Sequence, residues 1–248
     1  NYEFALAERL SVARKMSVVG MGSANGVDLR RFNPEKPDLN RASVRKKLCI
    51  ADDSIVVGFV GRLCREKGIN ELVKAFLSLS KEYKNIYLLL VGPYDRDSFG
   101  LDEEVQLAIN TNSRIISVGY KENPEEYMIC MDIFVLPSYR EGFGAVNIEA
   151  SAMGIPVVST DIPGPKDSVF HGKTGILVPP KEIHSLQESI RRLCIDARLR
   201  KEMGKAGREW ANNFNQELLW QQIRANRLEA FDSSREKISF IKRGVTVR

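Results

Sequence analysis

Two short stretches concentrate residue types that could handle a phosphorylated ligand. "GRLCREKG" (61–68) carries Gly61, Arg62, Lys67 and Gly68, and "EGFGAVNIE" (141–149) carries Glu141, Gly142, Phe143, Gly144 and Glu149. Arg62 and Lys67 can neutralise a diphosphate. Gly142 and Gly144 let backbone approach closely, and free N–H groups at a helix start favour an anion. Glu149 is the odd member. A helix running from near Gly144 to near Gly154 turns about 100° per residue. It then places Glu149 among Ala145, Val146, Ala152 and Met153, with Asn147 and Ser151 on the other side. An unpaired buried carboxylate is costly, so it needs hydrogen-bond donors. Phosphate would repel it, whereas the vicinal diol of a ribose supplies two donors, as acidic residues find in dinucleotide folds. Three plainer readings stand beside this one: a simple turn at 142–144, surface charges at Arg62 and Lys67, and a core Arg or Lys as the partner of Glu149.

The elements that must position these residues are legible as apolar runs, each followed by helical periodicity or a loop. The runs are "IVVGFVG" (55–61), "IYLLLVG" (86–92), "RIISVG" (114–119), "DIFVLP" (132–137), "IPVVST" (155–160) and "GILVPP" (175–180). They are continuous rather than alternating, as in strands buried on both faces of a parallel sheet. The expected fold is α/β, a doubly wound parallel six-stranded Rossmann-like sheet in the order 3-2-1-4-5-6, with extra C-terminal helices over 181–203 and 215–231. In such a sheet, ligands bind beyond the carboxyl ends of the strands where the order reverses, here between the first and fourth strands. Those strands run directly into the two stretches. Residues 1–15 read as a trailing helix, followed by a short strand and loop, and 232–248 as a basic tail.

Composition narrows the classes. The 248 residues are 43% hydrophobic and 28% charged, with no apolar run of membrane-spanning length. A net charge of +5 suits phosphate ligands or an anionic membrane surface. The basic run at 191–208 contains no Phe, Tyr or Trp before Trp210, so it reads as a solvated helix face and nucleic acid is not expected as a partner. Cys49, Cys64, Cys130 and Cys194 are far apart, which points to a reducing, cytoplasmic compartment and away from disulfides. With His171 and His184 the only histidines, a Cys/His metal site is not expected.

In combination, the motifs resemble the C-terminal, donor-binding domain of a family 4 retaining glycosyltransferase of the two-domain GT-B fold. "EGFGAVNIE" matches that family's pair of glutamates, "GRLCREKG" its G-R-x4-K-G stretch, and "NGVDLRRFNP" its N-G-V-D-x3-F segment. "MGIPVVST" and "GKTGILVPP" match its last two strands, and the likeness covers roughly residues 15 to 231. It implies a donor-binding domain over 16–231 that uses a nucleotide diphosphate sugar, most often a UDP-sugar. In that scheme Arg62 and Lys67 hold the diphosphate, and Glu141 contacts donor-sugar hydroxyls. The N–H groups of Phe143 and Gly144 meet the distal phosphate or sugar, and Glu149 binds the ribose. Gly119, Tyr120 and Lys121 lie near the base. The implied reaction is hexosyl-type transfer to an acceptor hydroxyl on a glycan or lipid-linked acceptor, without metal or other cofactor. The enzyme would sit in the cytoplasm, with peripheral contact to the inner membrane face. The resemblance also implies an N-terminal acceptor domain that this chain lacks beyond residues 1–15, so transfer by the chain alone is not expected. A GT-B nucleotide-sugar epimerase and a non-catalytic Rossmann-type nucleotide-binding module are the alternatives.

Three patterns are near-misses. "GMGSANG" (20–26) imitates a dinucleotide fingerprint but leads to Pro34 rather than a helix. "DRD" (95–97) imitates a metal-binding motif within a polar loop, and His171 reads as a loop residue.

Overall fold

The computed structural model describes residues 18, 22–23, 25–94 and 100–229. The expected helix at 1–15, most of the strand following it, the "DRD" loop and the tail lie outside them.

Apolar runs become the strands of one sheet. They are β1 (Ile55–Val60), β2 (Ile86–Val91), β3 (Ile115–Ser117), β4 (Ile133–Leu136), β5 (Val157–Thr160) and β6 (Gly175–Val178). All pairings are parallel, and the order is β3-β2-β1-β4-β5-β6, with the reversal between β1 and β4. β1 pairs with β2 from Ile55↔Ile86 to Val60↔Val91. Every residue of β4 and β5 is buried, so helices cover both faces.

A helix that the sequence reading did not include, α1 (Arg41–Lys47), precedes β1 and is capped by Asn40, whose side chain accepts from Ser43 N. α2 (Ile69–Glu82) buries Ile69, Leu72, Val73, Phe76 and Leu79, a helical stripe facing the sheet. α3 (Glu103–Thr111) and the short α4 (Glu125–Met128) follow β2 and β3. α5 (Ala145–Ala152) and α6 (Pro165–Ser168) follow β4 and β5. The expected single helix at 181–203 is two, α7 (Ile183–Ile195) and α8 (Ala197–Ala211). The break falls at Asp196, whose carboxylate accepts from Leu199 N at 2.8 Å and so starts a new helix. A further helix occupies 216–229. α2 packs on α7, and α5 on α8.

The α5–α8 contact corrects the expected face of α5. Asn147 and Ser151 are fully buried and Ala145 is exposed. The reason is close approach rather than hydropathy. A Cβ at Gly204 would lie 2.1 Å from Gly154 O, and one at Gly207 3.4 Å from Ser151 Cα, so α8 presses bare backbone against this side. Asn147 Nδ2 is satisfied there by Ser159 Oγ (3.2 Å) and Ser168 Oγ (3.0 Å).

Part of the basic run on α7 and α8 is ion-paired or capping. Arg191 meets Glu82 and Glu188, Arg198 meets Glu202, Arg208 meets Glu35, and Arg200 donates to Cys194 O. His171 is a turn residue whose Nδ1 accepts from Leu177 N at 2.9 Å.

Candidate functional site

The loops leaving β1 and β4 are stitched together at the switch point. Past β1 the chain turns through a 3-10 helix (Arg65–Lys67) into Gly68, whose φ is 71°. A Cβ at Gly68 would lie 2.1 Å from Pro137 O, so only glycine allows the β1 loop to rest on the end of β4. Tyr139 N donates to Glu66 O at 2.9 Å, closing the same seam through the backbone.

Across this seam Lys67 Nζ pairs with Glu141 Oε1, which also accepts from Ser138 Oγ at 2.9 Å. Both members of the ion pair are largely shielded from solvent (21% and 14% exposed), which strengthens their attraction. Glu141 Oε2 makes no hydrogen bond among the described residues, and Lys67 uses one of its three donors there. Arg62 is exposed on the β1 loop.

The glycine loop follows. Gly142 is exposed, and a Cβ there would meet nothing within 4 Å. Gly144, at φ 76°, is the N-cap of α5 and lends no side chain to its first amides; the first turn carries no acid. The positive end of α5 is therefore uncapped, which suits an incoming anion. Phe143 directs its ring away onto Phe214 (centroids 5.5 Å apart), which in turn meets Trp210 at 5.4 Å.

Glu149 lies further along α5. It keeps some access to solvent, yet burial pushes its carboxyl up to about 7; Arg31 opposes that rise and Glu125 adds to it. Its carboxylate makes no hydrogen bond or ion pair among the described residues. Arg31, which pairs with Glu125 at 2.9 Å, was missed by sequence reasoning, as were Glu125 and Ser138. The signal for Arg31 was present in "NGVDLRRF". Asp28 Oδ1 accepts from Arg30 N (2.9 Å) and Arg31 N (3.1 Å), a local turn that Asp forms readily. Val27 anchors the turn by donating to Phe214 O (2.7 Å) and accepting from Gln216 N (3.0 Å).

Gly119 lies at the end of β3, where its carbonyl accepts from Gly92 N at 2.9 Å. Beyond it Tyr120 is exposed, and Lys121 Nζ sits 5.5 Å over the Tyr127 ring. Among the described residues no hydrogen bond or ion pair joins Tyr120 or Lys121 to Lys67, Glu141 or Glu149. The structure thus brings Lys67, Glu141 and the 142–144 loop to one seam, with Glu149 on the helix that loop opens; Gly61, at the end of β1, bonds to Val91 O on the β2 side, and Tyr120 and Lys121 make no hydrogen bond or ion pair to the seam residues among the described residues. Among the described residues, no cluster of three His, Cys, Asp or Glu side chains is placed to hold a metal ion. Among the described residues, no helix is long and apolar enough to cross a membrane.

Comparison with known proteins agrees with this architecture. The model of the family described as glycosyl transferases group 1 matches residues 40–210. A capsular polysaccharide biosynthesis glycosyltransferase, CapM of Staphylococcus aureus, is 31% identical over 219 residues, covering 88% of this chain and 56% of that protein. A GDP-mannose-dependent phosphatidylinositol monomannoside mannosyltransferase of Mycobacterium tuberculosis is 31% identical over 194 residues, 75% of this chain and 49% of that one. Anabaena HepE, solved in complex with UDP, superposes with a TM-score of 0.80 at 25% identity, covering 92% of this chain and 61% of that one. The chain spans about half the length of the relatives it matches. It belongs to the group 1 glycosyl transferases, and its sheet is the Rossmann-like C-terminal half of their GT-B fold.

Proposed function

We propose that this chain is the donor-binding half of a retaining glycosyltransferase that takes a hexosyl group from a nucleotide diphosphate sugar and delivers it to an acceptor hydroxyl in glycan or polysaccharide synthesis. The observation that carries the reading is the Lys67–Glu141 pair with spare hydrogen-bonding capacity beside the uncapped N-terminus of α5. As the glycosidic bond to the diphosphate lengthens, negative charge builds on the leaving phosphate. Lys67, Arg62 and the first amides of α5 stabilise that charge, with no metal needed. Glu141 Oε2 takes a hydroxyl of the sugar, and Glu149 takes the ribose diol. Retention follows if the acceptor attacks the face that the phosphate leaves, with the phosphate removing the acceptor proton. No second carboxylate then has to act as nucleophile, unlike in a retaining glycosidase.

UDP is the first choice of nucleotide because HepE was solved with it; GDP is the second because the mycobacterial relative depends on GDP-mannose. The acceptor belongs to the part of the longer relatives that this chain does not span, so residues 1–248 alone are expected to bind donor and not to transfer sugar. The free thiols of Cys64 and Cys130, both buried, suit a cytoplasmic location, at the inner membrane face if the acceptor is lipid-linked. Calorimetry with UDP, GDP and ADP, each in EDTA and in magnesium, tests the reading. Binding of one diphosphate equally in both buffers is expected. No binding by any of the three overturns the donor-site reading, and a loss of about tenfold or more in EDTA, about 1.4 kcal/mol, overturns the metal-free part.

A further inference from the structure

We propose that Tyr139 is a positioning residue for the Lys67–Glu141 pair: bonded through both its backbone and its hydroxyl to the segment that carries Lys67, it sets where Glu141, two residues on, meets the ammonium. This rests on the donor-site reading above.

That segment, residues 66–71, comprises the end of the 3-10 turn, Gly68 and the first turn of α2. Gly68 rests against Pro137 O, which fixes the approach of the two loops at one point. One point leaves them free to rotate about it, and Tyr139 adds two more. Its N–H donates to Glu66 O at 2.9 Å, one residue ahead of Lys67. Its hydroxyl donates to Glu71 Oε1 at 2.6 Å, on the other side of Lys67 along the chain. Lys67 is therefore bracketed by two bonds to the same tyrosine. The ring between those bonds is covered by Lys181, whose Nζ lies 4.9 Å from the ring centre. Lys181 comes from the loop after β6 and is held at φ 65°, a left-handed conformation that residues other than glycine seldom adopt. Strain of this kind persists where the surrounding structure demands it.

The bond to Glu71 is built to last. Glu71 stands in the first turn of α2, where the helix dipole favours a negative charge. Its Oε2 is buried without a hydrogen-bond partner, which leaves the tyrosine hydroxyl as the donor to this carboxylate. Burial, and then the bond to Glu71, push the phenol above its ordinary value, with Arg65 opposing, so the hydroxyl stays a donor throughout the neutral range. The stretch from Tyr139 to Glu141 has little slack either. Ser138 Oγ donates to Glu141 Oε1, and Ser138 O accepts from Thr160 Oγ1 at 2.6 Å. Ionic attraction by itself does not fix the geometry of the pair, because Lys67 ends a flexible four-carbon stem with three rotatable donors. A lysine and a glutamate that each keep hydrogen-bonding capacity aimed at a ligand need their backbones held at a set separation, and Tyr139 sets it.

The test is a double-mutant binding cycle on this chain with UDP or GDP, whichever the parent binds more tightly. Tyr139→Phe is expected to weaken the diphosphate about five- to tenfold where Lys67 is present, and by less than about twofold beside Lys67→Ala. A general loosening of the fold would cost the same in both backgrounds, so equal losses, or no loss in either, overturn the proposal. Glu71 supplies a second measurement. Glu71→Gln keeps an oxygen for the hydroxyl and should bind within about twofold of the parent, whereas Glu71→Ala removes it and should reproduce Tyr139→Phe. If Tyr139→Phe does not fold, these two variants carry the test, and a loss as large with Gln as with Ala overturns the proposal. The donor-site reading fails separately. If the parent binds neither diphosphate, or if Lys67→Ala leaves affinity unchanged, that reading falls and takes this proposal with it. If Lys67→Ala weakens binding and Tyr139→Phe does not, the role of Tyr139 alone fails.

Discussion

The two edges of the sheet carry charge clusters of similar make-up that are completed to different degrees. At the N-terminal edge, Arg45 is 1% exposed, and its terminal nitrogens donate to the carbonyls of Ala51, Asp52, Ser54 and Cys130 and to Asp132 Oδ2. Arg41 adds Ile129 O, Met131 O and Asp132 Oδ1, and only Arg45 Nε is left buried without a hydrogen-bond partner among these groups. Asp132 Oδ2 also accepts from Val56 N at 2.7 Å, so both its oxygens are used. At the C-terminal edge, Glu141 has one oxygen with no hydrogen bond among the described residues, the Glu149 carboxylate makes none there, and α5 begins uncapped. Buried charge with every terminal partner in place builds architecture. Partly buried charge with capacity to spare is a place for something else to bind, because the missing partners must come from a ligand or from water.

The largest expected effect lies at the closed edge. Asp132→Ala strands Arg45 in the interior and should destabilise the fold by about 3–5 kcal/mol, read from the urea midpoint. A loss below about 1 kcal/mol would mean that the carbonyls alone satisfy the arginine. At the open edge the ranking inverts, with binding affected more than stability. Lys67→Ala should weaken the nucleoside diphosphate by about 1.5–3 kcal/mol, or roughly ten- to a hundredfold, with the unfolding midpoint nearly unchanged. Equal losses of affinity and stability would erase the distinction between the edges.

Glu149 sharpens the contrast through pH. Its carboxyl is raised from 4.5 to about 7 in the native chain, so the folded state binds that proton more tightly than the unfolded state. Its ionisation therefore opposes folding increasingly as pH rises from about 4.5 to 7 and to a constant extent above that. Without ligand, Glu149→Gln should be about 1–3 kcal/mol more stable than the parent at pH 8 and close to it at pH 5. Thermal unfolding at the two pH values decides. The smallest effect on the fold belongs to Gly142→Ala. The added methyl meets no atom within 4 Å, so stability should hold within about 0.5 kcal/mol. Diphosphate affinity should still fall about tenfold, because the space it fills is assigned to ligand. Unchanged affinity would place the phosphates elsewhere.

Much of this was legible in the residues. Continuous Val, Ile and Leu runs with helical segments between them dictate a parallel sheet and its order, and the sheet order brings residues 61–68 and 141–149 to one seam. The face of α5 was not legible, because Asn147 and Ser151 look solvent-facing until Gly204 and Gly207 bring another helix against them. Arg31 was hidden for a related reason. It lies 94 residues from Glu125, and only the docking of Val27 on Phe214 brings that turn to α4. The break at Asp196 was readable as an N-cap, but the periodicity on either side of it is nearly in phase.

The clasp at Val27 also has a mechanical meaning. Its two bonds, Val27 N to Phe214 O and Gln216 N to Val27 O, tie the segment ahead of the sheet to the segment behind α8. A pull on the chain ahead of Gly26 is borne first by this pair, acting as a strain relief upstream of Arg31. Movement of any neighbouring part of a longer protein would then be taken up by this clasp before it reached the sheet, and the crevice end proposed for the ribose would stay in place with the sheet.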